Sequence, residues 1–264
     1  MAATTPILLL GAGRMGGALI EGWLRARAFA PSDLVVRALE PGPAALASGA
    51  NLAPTGADLG AARTVVLAVK PQDWRAAAET VVSRLAPDAV IVSVAAGVAT
   101  ADIAEAFAGR RAARVMPTIA AAIGEGTASI FARDAESRAR AHALFEPVGR
   151  VVDLDDEDLM HAATAISGSA PAYLYAFVEA LEAAGEALGL TAPAARDLAR
   201  STLAGAAALM AQSDQAPAEL RRQVASPGGT TEAALKVLMG EAGLEPLLKA
   251  AAAAAERRSR ELGQ

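Results

Sequence analysis

The chain contains no cysteine, two histidines (His142 and His161), three lysines (Lys70, Lys236 and Lys249) and only 3% aromatic residues. Without cysteine there is no disulfide, no thiolate nucleophile and no Cys-ligated zinc, and two histidines argue against a histidine-rich metal site, so no metal is expected. Long hydrophobic runs are also missing. The six alanines from Ala250 to Ala255 lie inside a charged helical stretch, and Met1 to Pro6 has no basic region ahead of the short run Ile7 to Leu10. Neither a membrane span nor a signal peptide is expected, and the reading is a cytoplasmic protein. A net charge of −5 and a pI near 5.2 leave no broad basic field for a phosphodiester backbone, so nucleic acid is not an expected partner.

What is present is apolar and small: 53% of the 264 residues are hydrophobic, mostly Ala, Leu and Val. That length suits one medium and one small domain. Ile7-Leu8-Leu9-Leu10 runs into Gly11-Ala12-Gly13-Arg14-Met15-Gly16, after which Ala18, Leu19, Gly22, Trp23 and Leu24 recur at helical spacing. The pattern reads as a buried parallel strand, a glycine turn and a helix. Further strands are expected at Leu34-Val36, Thr64-Val69, Ala89-Val94, Arg114-Met116, Thr127-Phe131 and Arg150-Leu154, most of them alternating with helix-sized segments. The expected fold class is α/β, with a Rossmann-like open parallel sheet over residues 1-154 and an all-helical domain over 155-264. The helices of the second part are apolar around much of their circumference, and a bundle of about a hundred residues has much surface for its volume. They are expected to pack against a second subunit.

The glycine pattern follows a strand and opens a helix, the context in which it binds a dinucleotide. Gly11 would make the turn, Gly13 would admit the pyrophosphate to the backbone, with Arg14 and Met15 beside it, and Gly16 would let helix and strand pack. Near the end of the second strand stand Arg37, suited to a ribose phosphate, and Glu40, suited to ribose hydroxyls, so NADPH and NADH both remain open. Ala68-Val69-Lys70-Pro71 and Ala95-Ala96-Gly97 lie at the carboxyl ends of two central strands, where an open α/β sheet places its ligand, and the backbone beside Lys70 is favoured over its side chain. His161 reads as a general acid or, equally, as a helix-surface or interface residue, His142 as exposed, and the acidic run Asp155 to Asp158 as a solvated helix start.

In the helical half, Ser226-Pro227-Gly228-Gly229-Thr230-Thr231 precedes a helix-like run. A tight turn there leaves backbone N–H groups pointing beyond the helix start, a place for a carboxylate or phosphate. Taken with Ala165-Ile166-Ser167-Gly168-Ser169-Ala170-Pro171-Ala172-Tyr173 and the N-terminal glycines, the chain closely resembles the pyrroline-5-carboxylate reductase family, through nearly its whole length and in order. Ala68 to Pro71, Ala95 to Gly97 and Arg114-Val115-Met116-Pro117 share in the resemblance.

The resemblance implies hydride transfer from NADPH or NADH to the cyclic imine 1-pyrroline-5-carboxylate, giving L-proline, in a homodimer with interlaced helices that in some relatives assembles into a decamer. It also implies that Ser226, Gly228, Gly229 and Thr230 hold the substrate carboxylate, that Thr231 hydrogen-bonds the ring nitrogen and that Ser169 shapes the pocket. An N-cap role is the alternative for Thr231. The chain departs from the family pattern at Thr118, Ile119 and Ala120, at Ala170, at His161 and at Gly56. A reductase of another cyclic imine differs only in pocket contacts. A β-hydroxyacid dehydrogenase would need a lysine on the first long helix, where Pro171 to Phe177 has none, and a non-catalytic nucleotide sensor would not need the carboxylate turn.

Overall fold

The computed structural model describes residues 4–262. Its chain divides into two compact units, one comprising the residues up to Gly168 together with those from Ala255 onward, the other Ser169–Ala254.

The first unit is built on a seven-stranded sheet: β1 (Ile7–Leu10), β2 (Leu34–Arg37), β3 (Thr64–Leu67), β4 (Val90–Ser93), β5 (Ala112–Pro117), β6 (Gly126–Ala132) and β7 (Gly149–Asp153), in the order β2-β1-β3-β4-β5-β6-β7. Strands β1 to β4 are four residues each and almost wholly buried, because both faces of the sheet are covered and alternation with polar residues would place those residues in a core. Alternate residues supply the two faces. Ile7, Leu9, Val36, Val66 and Val92 join one apolar cluster, and Leu8, Leu10, Val35, Val65, Leu67 and Ile91 the other. Helices α1 (Arg14–Ala26), α2 (Pro43–Ala47), α3 (Gly56–Ala61), α4 (Trp74–Glu79), α5 (Thr100–Ala106) and α6 (Ala135–Phe145) lie between the strands, and α7 (Leu159–Ala163) follows β7.

The expected open parallel sheet is parallel from β1 to β5, but β6 runs antiparallel to β5 and β7 parallel to β6, so the last two strands run opposite to the first five. The connection from Pro117 to Gly126 holds only a short 3-10 turn, Ile119–Ile123, and a parallel return needs a crossover of a dozen or more residues. The third and fourth strands are also shorter than expected. They end at Leu67 and Ser93, so Ala68 to Pro71 and Val94 to Gly97 are loop at the strand tips.

Large side chains anchor α1 to this sheet. Trp23 is 2% exposed, donates its indole N–H to the Leu144 carbonyl at 2.7 Å and meets Phe29 edge-on. Gly22 lies so close to the Ile119–Ile123 turn that a Cβ would fall 2.2 Å from the Ala121 carbonyl oxygen, which excludes any larger residue there without backbone movement.

The second unit is helical among the described residues, as the loss of β-branched runs predicts. Helices α8 (Ala170–Ala187) and α9 (Ala192–Ala211) pack as an antiparallel pair across the bend at Gly189, whose φ of +94° suits glycine alone. At their contact Gly185 faces Ala195 closely enough that a Cβ would come within 3.1 Å. The shorter α10 (Pro217–Gln223) and α11 (Thr230–Leu238) lead to α12 (Leu244–Glu261). Leu174, Tyr175, Phe177 and Leu181 on α8 and Leu198, Leu209 and Met210 on α9 are exposed in the single chain. So many exposed large apolar side chains on one helix pair suit an interaction face. No described helix is long and apolar enough to cross a membrane.

Candidate functional site

The glycine turn after β1 is rigid for steric reasons. Gly11 has φ +93° and donates its N–H to the Arg37 carbonyl at 2.9 Å, and a Cβ on it would lie 2.7 Å from the Ala68 oxygen. A Cβ on Gly16 would fall 2.3 Å from the Gly11 oxygen, so α1 could not start this close to the turn with any other residue. Gly13 is different: it is the helix N-cap, and a Cβ there would meet nothing within 4 Å. Its glycine is required by no neighbour inside the chain, leaving the space in front open to a ligand.

Among the described residues the N–H groups of Gly13, Arg14, Met15 and Gly16 have no protein acceptor. No side chain caps this helix, and no acidic residue stands in its first turn. Unsatisfied donors and a positive dipole end together suit an anion such as a phosphate. These residues fit a dinucleotide.

Around that turn lie the other expected positions. Arg37 ends β2 half-buried, and Glu40 is exposed three residues on. Ala68, Val69 and Lys70 follow β3. Ala68 N–H continues the ladder to the Leu10 carbonyl at 2.8 Å, while the Lys70 side chain is exposed and its carbonyl accepts from Asp73 N–H. After β4, Ala95 N–H bonds the Ser93 hydroxyl at 3.2 Å, Ala96 is half-buried, and Gly97 is buried with φ +81°. All these loops are at the carboxyl ends of β1 to β4. At the departing positions, Thr118 is buried with its hydroxyl accepting from Thr127 N–H at 3.0 Å, while Ile119 is 46% exposed.

Between α7 and α8 the chain forms a π-helical segment, Thr164–Gly168. Ser167 Oγ donates to the Ala163 carbonyl at 2.8 Å, and a Cβ on Gly168 would press on the Met116 sulfur at 3.2 Å. The wide turn thus lets this strand of small residues lie on the end of β5. Ser169 follows as the N-cap of α8, without a side-chain capping bond.

The Ser226–Thr231 turn belongs to the second unit. Gly228 has φ +71° and nothing near a prospective Cβ, and Gly229 is the N-cap of α11. The expected N-cap alternative for Thr231 is therefore overturned, because Thr231 is the second residue inside the helix and its hydroxyl has no partner among the described residues. The turn is not empty of acceptors, however. Gly229 N–H donates to the Ser226 carbonyl at 3.0 Å, and Gly228 N–H donates to Glu232 Oε2 at 2.5 Å. Among the described residues the N–H groups of Thr230, Thr231 and Glu232, directly after the glycines, have no acceptor, nor does that of Ser226.

Two sequence readings are corrected here. His142 is half-buried rather than exposed, with Nδ1 2.8 Å from Glu146 and Nε2 3.0 Å from Asp153, and its pKa is raised by the bond to Glu146 with help from Asp153. The acidic run is not uniformly solvated, since the Glu157 side chain is only 15% exposed. Burial pushes its carboxyl upward, but bonds from the Thr100 N–H and hydroxyl and from Arg114 outweigh that and hold the pKa below the ordinary value. Sequence reasoning missed Glu157 because its partners lie 24 to 57 residues away. His161, by contrast, lies where expected. Burial, Arg114 and Arg260 lower its pKa, and Nδ1 is 3.0 Å from Ser259 Oγ, which suits a neutral structural imidazole.

Residues 157–262 match the family model described as pyrroline-5-carboxylate reductase dimerisation, and residues 6–97 match NADP oxidoreductase coenzyme F420-dependent. The chain is 39% identical to a pyrroline-5-carboxylate reductase of Pseudomonas aeruginosa, covering 99% of this chain and 98% of that one. It is 37% identical to that of Thermus thermophilus over 98% of each. A solved pyrroline-5-carboxylate reductase from Coxiella burnetii superposes with a TM-score of 0.89 at 32% identity, over 99% of both chains.

Proposed function

Because the chain belongs to the pyrroline-5-carboxylate reductase family, we propose the reading its residues support: reduction of 1-pyrroline-5-carboxylate to L-proline, with NAD(P)H bound at the glycine turn and the substrate carboxylate at the start of α11. The observation that carries the substrate assignment is the set of unpartnered N–H groups at Thr230, Thr231 and Glu232 beside an uncommitted Thr231 hydroxyl. Bound NAD(P)H supplies the hydride. The imine carbon accepts it while the ring nitrogen carries a proton and becomes the amine, so no strong protein acid is required. Thr231 orients that nitrogen by a hydrogen bond, and Ser169, at the head of α8, bounds the pocket. Ser226, Gly228 and Gly229 shape the carboxylate turn. The chain must supply proximity, holding the reacting carbons within about 3 to 3.5 Å, which lowers the barrier by several kcal/mol.

Residues 1-154 serve as the dinucleotide-binding domain, and 155-264 as the substrate and dimerisation domain. The exposed apolar faces of α8 and α9 are covered in a homodimer, with a decamer as the larger assembly known from the resemblance. Measured mass in solution separates the two, a dimer having twice the 26.6 kDa of the chain. Absence of cysteine agrees with a cytoplasmic enzyme.

The test is oxidation of NADPH and NADH, followed separately with and without 1-pyrroline-5-carboxylate, with proline identified as product. Imine-dependent oxidation is expected. Its absence with both nucleotides would overturn the assignment, and the ratio between them reports Arg37 against Glu40.

A further inference from the structure

The backbone N–H groups of the loop from β4 to α5 are hydrogen-bonded at its two ends and not between, where Val98 alone packs into the apolar core. Val94 N–H bonds the Leu67 carbonyl and Ala95 N–H the Ser93 hydroxyl, but among the described residues the N–H groups of 96 to 99 have no protein acceptor. The next fixed point is Thr100, 3% exposed, whose N–H donates to Glu157 Oε1 at 2.6 Å and whose hydroxyl donates to Glu157 Oε2 at 2.8 Å. Arg114 Nη1 on β5, 4% exposed, reaches Glu157 Oε1 at 3.1 Å, and Arg133 reaches Oε2 at 3.5 Å and the Thr100 hydroxyl at 3.2 Å. One carboxylate therefore gathers donors from the far end of the β4 loop, from β5 and from the segment after β6. Its own residue stands just ahead of α7 and the π-helical segment. Such a buried charge is costly unless all its partners are in place, so the arrangement has one geometry rather than several.

We propose that Glu157 is a positioning residue for hydride transfer: by clamping Thr100 it fixes the Val94–Ala99 loop, which borders the cofactor crevice at the carboxyl ends of the strands, relative to β5. The proposal rests on the functional reading above, which places the cofactor at the strand tips. Glu157 touches neither substrate nor cofactor. Its effect passes through the loop.

Glu157→Gln keeps the volume but turns an amide NH2 toward a cluster in which the Thr100 hydroxyl is the single group able to accept, and that hydroxyl already accepts from Arg133. Expected is about a tenfold lower kcat with KM for the imine changed less than about twofold, because the carboxylate turn is untouched. Hydrogen–deuterium exchange of the enzyme without cofactor should quicken in peptides spanning residues 94 to 106 and stay unchanged in those spanning Gly11 to Gly22. Thr100→Val removes one hydroxyl and spares the N–H bond, so it should give a smaller loss in kcat in a protein that folds even if the glutamine variant does not. In the double variant the Thr100 change should add little to Glu157→Gln. Unchanged kcat in both single variants, or faster exchange spread evenly over the sheet, would overturn the proposal. Wild-type enzyme inactive on the imine would instead overturn the functional reading, and the exchange experiment would still report the clamp.

Discussion

The two helix-start turns, Gly11 to Gly16 before α1 and Ser226 to Thr231 before α11, are both rich in glycine and both present backbone N–H groups, yet they are built differently. In the first, glycine is demanded by contact. Gly11 and Gly16 lie within 2.7 and 2.3 Å of backbone oxygens by their prospective Cβ atoms, and no side chain of the protein competes for the free donors. In the second, Gly228 meets nothing within 4 Å, and the shape comes from local bonds, Gly229 to Ser226 and Gly228 to Glu232. A turn wedged between a strand and a helix is fixed before its ligand arrives. A turn held by an exposed carboxylate is adjustable, and that resident negative charge stands beside the donors proposed for an incoming anion.

The largest test of this contrast is Gly16→Ala. A Cβ against a backbone oxygen has no flexible neighbour to yield, so the turn must open, with a loss of about 1–3 kcal/mol in stability and at least about tenfold in NADPH affinity. Calorimetry and cofactor titration check both, and retained affinity would remove the wedge from the account. Next is Thr231→Val, which deletes the hydroxyl proposed to orient the ring nitrogen and should lower kcat about tenfold or more. Melting temperature should stay level, because the hydroxyl caps nothing. A lower melting temperature with unchanged turnover would return Thr231 to a structural role. Gly228→Ala should cost about 1 kcal/mol in stability for its positive φ and little in cofactor affinity. The smallest effect is expected from Glu232→Gln: without a resident negative charge, KM for the imine should fall about twofold to threefold, while stability drops by a few tenths of a kcal/mol. An unchanged KM would show that the second turn is as preset as the first.

Much of the fold was legible because it is written locally. Ile7 to Leu10 has no polar residue with which to line an exposed face, and the Gly-x-Gly-x-x-Gly spacing carries its own steric reason, visible in the structure as the Gly16 to Gly11 approach. The direction of β6 was not legible, since it depends on how short the path from Pro117 to Gly126 becomes once Ile119–Ile123 winds into a turn. At the carboxylate turn, the sequence pointed to the segment but not to the donors. Gly228 and Gly229 look like the open N–H groups from their freedom alone, whereas hydrogen bonding commits them internally and leaves Thr230 and Thr231. Glu157 offered no signal, being one acid among four in a row.

By itself, then, the sequence determined the strand and glycine pattern of the nucleotide half, the helical character of the remainder, and the reaction class through two specific C-terminal motifs. The strand, glycine and helix patterns are properties of neighbouring residues, set by sterics and periodicity within a few positions, whereas the reaction class followed from the resemblance to a known family. Tertiary structure alone decided which acid in the run 155 to 158 is buried, which N–H groups remain for an anion, and where the sheet reverses direction. Each of those depends on groups far apart in the chain meeting at hydrogen-bond distance, as Thr100 and Glu157 do at 2.6 Å, and short-range pattern carries no record of such meetings.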